Sequence, residues 1–387
     1  MLTFKKTKEL LESRGLKTIA LQSDTSTGCL LIAPDLSARI MAVSMDGPDD
    51  ENFGFVKPEA ITNRGKDPQF NAYGGALRWW VGPEGGQYGF AFPPGTTDFS
   101  LSSWRISEEY NGKRFAVTYP REDAATSALM DAEINIENAA GTSFCVGVTC
   151  RVCVLEDPAQ TGEKRIKNLR KPDQEQVKHL GYLSETTFEN LSSTPMRRET
   201  GLVSIWLLGM YVAGPKIHVI APFGRKGTGK IVTDTYFNPA GIGSERLVID
   251  EKRGYMLFRA DSKERSKIGL SRSRASTTIG SIDLSRNLLT VWSFPIRRRM
   301  PYVNSLWEQQ KLPYSGDVSN SYNDDGKFGD FYELECSSHA LALKPKERFA
   351  FPLEVHHYSG NSKALLRLAN KLFDRKIDWE RLGLTPS

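Results

Sequence analysis

The chain has 387 residues, of which 51 are Lys or Arg, 46 are Asp or Glu and five are His, so its formal net charge is +5. Apolar residues make up 39% and charged residues 25%, a globular composition that excludes a mainly disordered or fibrous chain. No run of about 18 apolar residues is present, which excludes a membrane-spanning helix.

The first predicted element is a short amphipathic helix, with apolar residues at helical spacing from Phe4 to Leu11 and Gly15 after its end. Acidic and basic residues are mixed through this segment, so it does not fit a signal peptide. We therefore expect a cytoplasmic protein, or a periplasmic or exported one if these residues are what remains of a longer chain.

After residue 16 the apolar residues alternate with a period of two, which predicts β-strands up to residue 356. Asn111-Gly112 separates two of them and predicts a type I′ hairpin. A second helix is predicted over 362–374. The predicted strands cover residues 17–23, 29–33, 39–43, 104–110, 113–119, 132–137, 143–155, 203–211, 216–222, 230–237, 246–250, 254–259, 281–284, 288–294, 330–336, 340–343 and 348–356.

This order predicts an all-β (mainly β) chain with short terminal helices in 1–16 and 361–387. Strongly twisted sheets rarely exceed about ten strands, so about fifteen to twenty strands should form two large antiparallel sheets packed face to face. No Pro-, Gly- or Ser-rich linker divides the sequence, so we expect a single domain over 1–387. The polar stretch 156–176 is the best candidate for a boundary, and a long loop is the alternative.

Two patterns resemble known ligand-binding motifs but lack a part that the chemistry requires. Cys150 and Cys153 have the spacing of a redox or zinc pair, yet in a strand they project to opposite faces. Residues 224–230 match the start of a phosphate-binding loop, but Ile231 stands where the magnesium ligand Ser or Thr is required. We therefore expect no cofactor and no catalytic metal.

The sequence also contains a stretch similar to a calcium-binding loop and two basic runs that could contact nucleic acid. Residues 321–326 resemble the front of a calcium loop, but Tyr332 stands where a bidentate carboxylate is needed. A turn is the simpler interpretation, and a loosely assembled calcium site over 320–325 is the alternative. The basic runs 265–274 and 296–300 fit a solvated surface, and no nucleic-acid-binding module is present, so we expect no nucleic-acid partner.

A glycine-rich stretch from Tyr73 to Tyr88 is the first candidate binding site, with Arg78, Trp80 and Glu84 as its candidate contacts. Arg donates in a planar fork, Glu accepts hydrogen bonds, and an indole ring covers the C–H face of a sugar. This combination favours a polyhydroxylated ligand. The alternative is a glycine-rich hairpin with core tryptophans.

Glu333 and Glu335 form the second candidate, because residues two apart on a strand share a face and lie roughly 6.5–7 Å apart. Two carboxylates this close in a cleft raise one pKa, which suits general acid/base chemistry. The alternative is a pair of solvated glutamates.

These stretches resemble the galactose mutarotase-like (aldose 1-epimerase-like) superfamily, and a bacterial branch of it in particular. The resemblance rests on residues 74–86, 307–326 and 331–347, and it spans the chain from about 17 to 360. It implies a β-supersandwich with a sugar-sized cleft and a sugar or oligosaccharide as ligand. The substrate contacts that it implies, together with those of the candidate sites, are Arg78, Trp80, Glu84, Tyr322, Asn323 and Glu333.

The resemblance also implies a catalytic pair. Glu335, in a Leu-Glu strand near the C-terminus, corresponds to the base that takes the proton of the anomeric hydroxyl. The motif that carries the acid histidine is absent, and His179 is the only histidine near its place. We therefore expect a carbohydrate-binding protein that acts as an aldose 1-epimerase by acid/base ring opening. The alternatives are a non-catalytic sugar-binding protein and a glycoside hydrolase or lyase.

Overall fold

The computed structural model describes residues 2–119, 126–155 and 177–380, so the predicted boundary 156–176 lies outside the described residues. Thr3 caps the first helix by accepting from the backbone N–H of Lys6, and Asn361 caps the last by accepting from that of Ala364. Among the described helices, none combines the length and the apolar character needed to cross a bilayer. The helices are α1 (Phe4–Ser13), α2 (Pro58–Thr62), α3 (Glu108–Asn111) and α4 (Ser362–Leu372), with a 3₁₀ turn at Pro34–Leu36.

The described strands number eighteen. They are β1 (Ile19–Gln22), β2 (Cys29–Ala33), β3 (Arg39–Ser44), β4 (Arg78–Gly82), β5 (Ala116–Tyr119), β6 (Ser127–Glu137), β7 (Ser143–Leu155), β8 (Val177–Asn190), β9 (Ser204–Val212), β10 (Ile217–Pro222), β11 (Leu247–Asp250), β12 (Tyr255–Arg259), β13 (Ser266–Ser271), β14 (Thr278–Asp283), β15 (Leu288–Ser293), β16 (Asp317–Asn323), β17 (Phe331–Ser337) and β18 (Arg348–Gly360).

The strands form large antiparallel sheets, as the sequence predicts. A ten-stranded sheet has the order β11-β12-β10-β14-β15-β18-β8-β7-β6-β5, and a five-stranded sheet has the order β13-β16-β17-β9-β4. A three-stranded sheet, β1-β2-β3, continues the five-stranded one, because Ile40 of β3 and Leu77 exchange backbone hydrogen bonds.

The ten-stranded and five-stranded sheets pack face to face through a shared apolar core. Trp79 of β4 contacts Phe188 of β8 with 5.8 Å between ring centroids. Val148, Leu207 and Leu334 belong to the same cluster. Because side chains alternate along a strand, Trp79 points towards the ten-stranded sheet and its neighbours Arg78 and Trp80 point away from it.

The other face of the ten-stranded sheet is covered in part by α4. Its Leu365, Leu368 and Leu372 pack with Leu289 of β15 and Tyr358 of β18. Helix α1 covers the three-stranded sheet in the same way, through Phe4 and Leu11. The apolar stripes of both terminal helices are thereby removed from water.

Several predicted elements differ in the structure. The hairpin at Asn111-Gly112 is wrong: Ser107 caps the short helix α3, and the buried Asn111 accepts a hydrogen bond from Arg39. The predicted strands 230–237 and 340–343 are also wrong, since each makes a single bridge, at Thr233 and Leu341. Four strands were not predicted, namely β4, β8, β13 and β16.

Candidate functional site

The candidate site lies on the face of the five-stranded sheet that points away from the ten-stranded sheet. Arg78 of β4 pairs with Leu208 of β9, which pairs with Glu335 of β17. Trp80 pairs with Trp206 in the same register. Because paired residues of antiparallel strands project to one face, these side chains lie together on the sheet.

The next rung of the sheet brings three further polar side chains to this face. Glu333 of β17 pairs with Tyr322 of β16, and Tyr322 pairs with Lys267 of β13. Glu333 and Glu335 are two residues apart on one strand and therefore share the face. Register thus brings together residues that are up to 257 positions apart in the chain, from Arg78 to Glu335 (335 − 78).

A pocket opens above these residues; its cavity volume is about 40 Å³, and the wider empty space of about 430 Å³ around it includes open solvent. Its charged lining residues are Arg78, Glu84, Arg265, Lys267 and Glu333. The remaining wall is almost entirely aromatic, with Phe70, Trp80, Trp104, Trp206, Phe237, Tyr322, Phe328 and Phe331, and Leu208 completes it. Aromatic walls with a few placed polar groups are typical of small-ligand sites.

Arg78 and Glu333 form a buried ion pair in this pocket. Arg78 Nη2 donates to Glu333 Oε1 at 2.7 Å, and the two side chains are only 2% and 9% exposed. The guanidinium also lies over the Trp80 ring, 4.4 Å from its centroid. Arg78 Nε and Nη1 and Trp80 Nε1 have no hydrogen-bond partner among the described residues, although all three atoms are buried.

Glu335, the predicted base, is not among the residues that line the pocket: its side chain is fully buried and is held by Lys267 and Trp206, two residues of the pocket wall. Its Oε2 accepts from Lys267 Nζ at 2.9 Å and from Trp206 Nε1 at 3.0 Å. Its Oε1 is buried and has no partner in the described part of the chain. A carboxylate oxygen without a partner in a dry environment is a strong hydrogen-bond acceptor.

Burial sets the protonation behaviour of this cluster. Desolvation raises the pKa of Glu335, and the neighbouring Lys267 ammonium opposes that shift. Desolvation likewise raises the pKa of Glu333 against the pull of Arg78. Burial alone would lower the pKa of Lys267, but the summed attraction of Glu335, Glu84 and Glu333 raises it instead. The lysine therefore stays charged at neutral pH.

Glu84 and Tyr322, both predicted contacts, also line the pocket. Glu84 Oε1 accepts from Trp104 Nε1 at 3.0 Å. The Tyr322 hydroxyl donates to Asp324 Oδ1 at 2.7 Å and accepts from Arg265 Nε at 3.2 Å. Tyr322 is thus fixed in the wall by partners on both sides.

Asn323, also a predicted contact, does not reach the pocket. It follows Tyr322 along β16 and therefore projects to the opposite face. Its amide donates to the carbonyls of Glu264 and Asp324 and accepts from the N–H of Ser262. The assignment of Asn323 as a ligand contact is corrected, because its side chain holds neighbouring loops together.

His179, the predicted acid, is remote from Glu335. It lies on β8 opposite Tyr358, on the face of the ten-stranded sheet that points away from the five-stranded sheet. Its Nε2 lies 3.0 Å from His356 Nδ1. Burial lowers the pKa of His179 to about 3. His179 cannot donate a proton in this pocket, and among the described residues no histidine lines it.

Residues 320–325, the alternative calcium site, do not form an open loop in the structure. Residues 317–323 form β16 rather than a loop. Asp324, which would be a calcium ligand, accepts hydrogen bonds from the Tyr322 hydroxyl and the N–H of Phe328. Within the described ranges, no group of three or more His, Cys, Asp or Glu side chains could hold a metal ion. The calcium interpretation of 320–325 gains no support.

Nine of the pocket-lining residues were not predicted from the sequence, and two of them, Arg265 and Lys267, are charged. The other seven are Phe70, Trp104, Trp206, Leu208, Phe237, Phe328 and Phe331. Arg265 and Lys267 lie in the run 265–274, whose charge suggested a solvated surface. The alternation of Lys267, Ile268, Gly269 and Leu270 was the signal that could have indicated a strand with one polar face.

Comparison with solved structures identifies the fold. A candidate aldose 1-epimerase from Escherichia coli K12 has a TM-score of 0.50 and 10% identity, over 89% of this chain and 99% of that one. The Slr1438 protein from Synechocystis sp. PCC 6803 has a TM-score of 0.47 and 14% identity, over 89% and 96%. A candidate mutarotase (YeaD) from Salmonella typhimurium has 0.45 and 10%, over 89% and 91%.

At these identities the likeness shows the fold alone, which is galactose mutarotase-like, as the resemblance predicted. No curated protein matches the sequence. A family model does match it, over residues 2–380 and so nearly from end to end. The chain therefore belongs to that family, which is described as a family of unknown function (DUF6786).

Proposed function

We propose that this protein binds a saccharide in the pocket of the five-stranded sheet. The observation that carries the proposal is a group of buried polar atoms left without partners beside an aromatic wall. They are Arg78 Nε and Nη1, Trp80 Nε1 and Glu335 Oε1.

Unpartnered buried polar atoms are costly, at about 1–3 kcal/mol each, so a ligand that satisfies them is favoured. Here donors on Arg78 and Trp80 accompany an acceptor on Glu335. Sugar hydroxyls donate and accept at once, and sugar C–H faces pack on aromatic rings. A saccharide therefore matches both halves of the pocket.

Ring opening of a bound aldose is the second candidate function. The observation that favours it is Glu335 Oε1, a free carboxylate oxygen on a group whose pKa is raised by burial, as a general base requires. An acid other than histidine would have to protonate the ring oxygen. Since no histidine lines the pocket among the described residues, saccharide binding is proposed ahead of ring opening.

Saturation-transfer NMR with a panel of aldoses and oligosaccharides tests the proposal. We expect the wild type to bind at least one member and Trp80→Phe to bind it about 2- to 12-fold more weakly, since one N–H donor is lost. Trp379→Phe is the matched control, because Trp379 Nε1 is also buried and unpartnered but lies with α4, away from the pocket.

Failure of every sugar to bind, or equal effects of the two tryptophan variants, would refute the binding proposal. The same NMR samples report anomer exchange. We expect Glu335→Gln to abolish any acceleration that the wild type shows, whereas acceleration that survives the substitution would exclude Glu335 as the base.

A further inference from the structure

The cations of the pocket are not equivalent. Arg78 is paired with Glu333 at 2.7 Å, and Lys267 is paired with Glu335 at 2.9 Å. Arg265 also lines the pocket, yet it has no carboxylate within ion-pair distance among the described residues. Among the described residues, Arg265 is therefore the cation of the pocket wall whose charge has no direct carboxylate partner; its side chain is partly exposed, and Asp324 is linked to it only through the Tyr322 hydroxyl.

Aromatic rings fix the position of that charge. The guanidinium carbon of Arg265 lies 3.9 Å from the ring centroid of Phe237 and 5.3 Å from that of Trp307. Its Nε donates to the Tyr322 hydroxyl at 3.2 Å. Since Nε is occupied, the free edge of the guanidinium is the one that carries Nη1 and Nη2.

A guanidinium edge with two parallel N–H donors matches a carboxylate, phosphate or sulfate group in a bidentate arrangement. We propose that the saccharide bound in this pocket carries such an anionic group and that the Nη edge of Arg265 binds it. This inference rests on the proposed function, and it adds the substrate class: acidic saccharides rather than neutral ones.

The remaining charges give the ligand a direction. Glu84 attracts Lys267 and raises the pKa of Glu335, so it lies near that pair. An anionic group would be repelled there and attracted at Arg265. The hydroxyl-bearing end of the saccharide therefore faces Arg78 and Glu335, and the anionic group faces Arg265.

Calorimetric titration of matched ligands tests the inference. The ligands are a neutral hexose and its uronate, 6-phosphate and 6-sulfate, with inorganic phosphate as a separate probe. We expect the wild type to bind at least one anionic sugar about 10- to 100-fold more tightly than the neutral one, as for hydrogen bonds between charged groups. The member that shows the preference identifies the anionic group.

Arg265→Gln should reduce that ratio towards one. Arg299→Gln is the matched control, because Arg299 is exposed and lies outside the pocket, and it should keep the wild-type ratio. Equal binding of neutral and anionic sugars by the wild type would overturn the inference and leave the proposed function standing. Binding of inorganic phosphate as tightly as the sugar phosphate would also overturn it. Binding of no sugar would refute both proposals.

Discussion

Glu335 and Lys267 form an ion pair that is almost completely withdrawn from water, with side chains 0% and 6% exposed. Such pairs contribute little net stability, because desolvation of both charges offsets their attraction, whereas removal of one partner leaves an uncompensated buried charge. We therefore interpret the pair as one that positions Glu335 Oε1 in the site rather than one that stabilises the fold.

This interpretation predicts an asymmetric mutant cycle. Lys267→Met should lower the free energy of unfolding by about 3–5 kcal/mol, because Glu335 stays buried without its cation. The double variant Lys267→Met with Glu335→Leu should recover most of that loss, since apolar residues of similar volume replace both charges. Urea unfolding of the single and double variants measures these changes.

The control for this cycle is an exposed pair. Lys8 and Glu12 are an i,i+4 pair on α1 with side chains 40% and 44% exposed, so Lys8→Met should cost less than about 1 kcal/mol. Additive losses in the buried double variant would contradict the interpretation, because additivity means that Lys267 and Glu335 stabilise the fold independently.

Single residues also mark the limit of sequence prediction. Arg78 and Trp80 could be found because they lie in a glycine-rich stretch, whereas Glu335 was distinguished from Glu333 only by the resemblance of Leu334-Glu335 to the strand that carries the base in the mutarotase-like superfamily. Tyr322 and Asn323 could not be told apart, since a shift of one residue along a strand exchanges the two faces. Only the pairing of Tyr322 with Glu333 and Lys267 decides which of them reaches the pocket.

At the scale of elements, three of the four strands that were missed, β4, β13 and β16, belong to the sheet of the site. Each carries a residue of the pocket wall, such as Arg78, Lys267 or Tyr322. In β16 polar residues lie on both faces, and in β13 the alternation covers only Ile268 and Leu270 within a basic run, so neither sequence shows the long apolar alternation that identifies strands. The fourth, β8, places Ser184 and Thr186 towards the core, which interrupts the pattern in the same way. Functional and buried polar positions are where local sequence rules are expected to fail.

Strand β18 carries a buried histidine, His357, whose environment determines its protonation state. His357 of β18 projects into the core between the sheets, where its ring lies 5.6 Å from that of Phe53. Its Nδ1 lies 3.0 Å from Thr290 Oγ1 of β15. Burial, together with a smaller effect of the nearby His356, lowers the pKa of His357 to about 3, so the ring is neutral in the folded protein at neutral pH.

This neutral ring predicts acid sensitivity. Between pH 6.5 and about 3 the unfolded chain binds a proton at His357 that the folded protein does not, so the free energy of unfolding falls as the pH is lowered. His357→Gln should remove about 1.4 kcal/mol per pH unit from that slope near pH 5. Urea unfolding at a series of pH values measures the slope.

Thr290→Val is the control for the slope. It removes the partner of His357 without removing the titrating ring, so stability should fall while the slope keeps its wild-type value. Glu333 and Glu335 act in the opposite sense, because burial raises their pKa, and their contribution cancels when variant and wild type are compared. An unchanged slope in His357→Gln would mean that this ring is protonated in the folded protein.

For the whole molecule, the expectation of one domain over 1–387 stays a prediction, and the course of the strands supports it. If 156–176 separated two domains, the strands before it would pair among themselves. Instead β7 pairs with β8 in the ten-stranded sheet, and β4 pairs with β9 in the five-stranded sheet. Both sheets therefore contain strands from both sides of that stretch.

Interleaved sheets predict cooperative unfolding. Loss of β4 would expose one edge of β9, and loss of β7 would expose one edge of β8, so neither half can keep its sheets without the other. Tryptophan emission and far-UV circular dichroism should therefore give one coincident transition in urea, since Trp80 reports the site and Trp379 the region of α4. Two separated transitions would show that the sheets divide into units that unfold independently. Because the site contains residues from both halves of the chain, Arg78 and Glu335 among them, it would then be lost in the first transition.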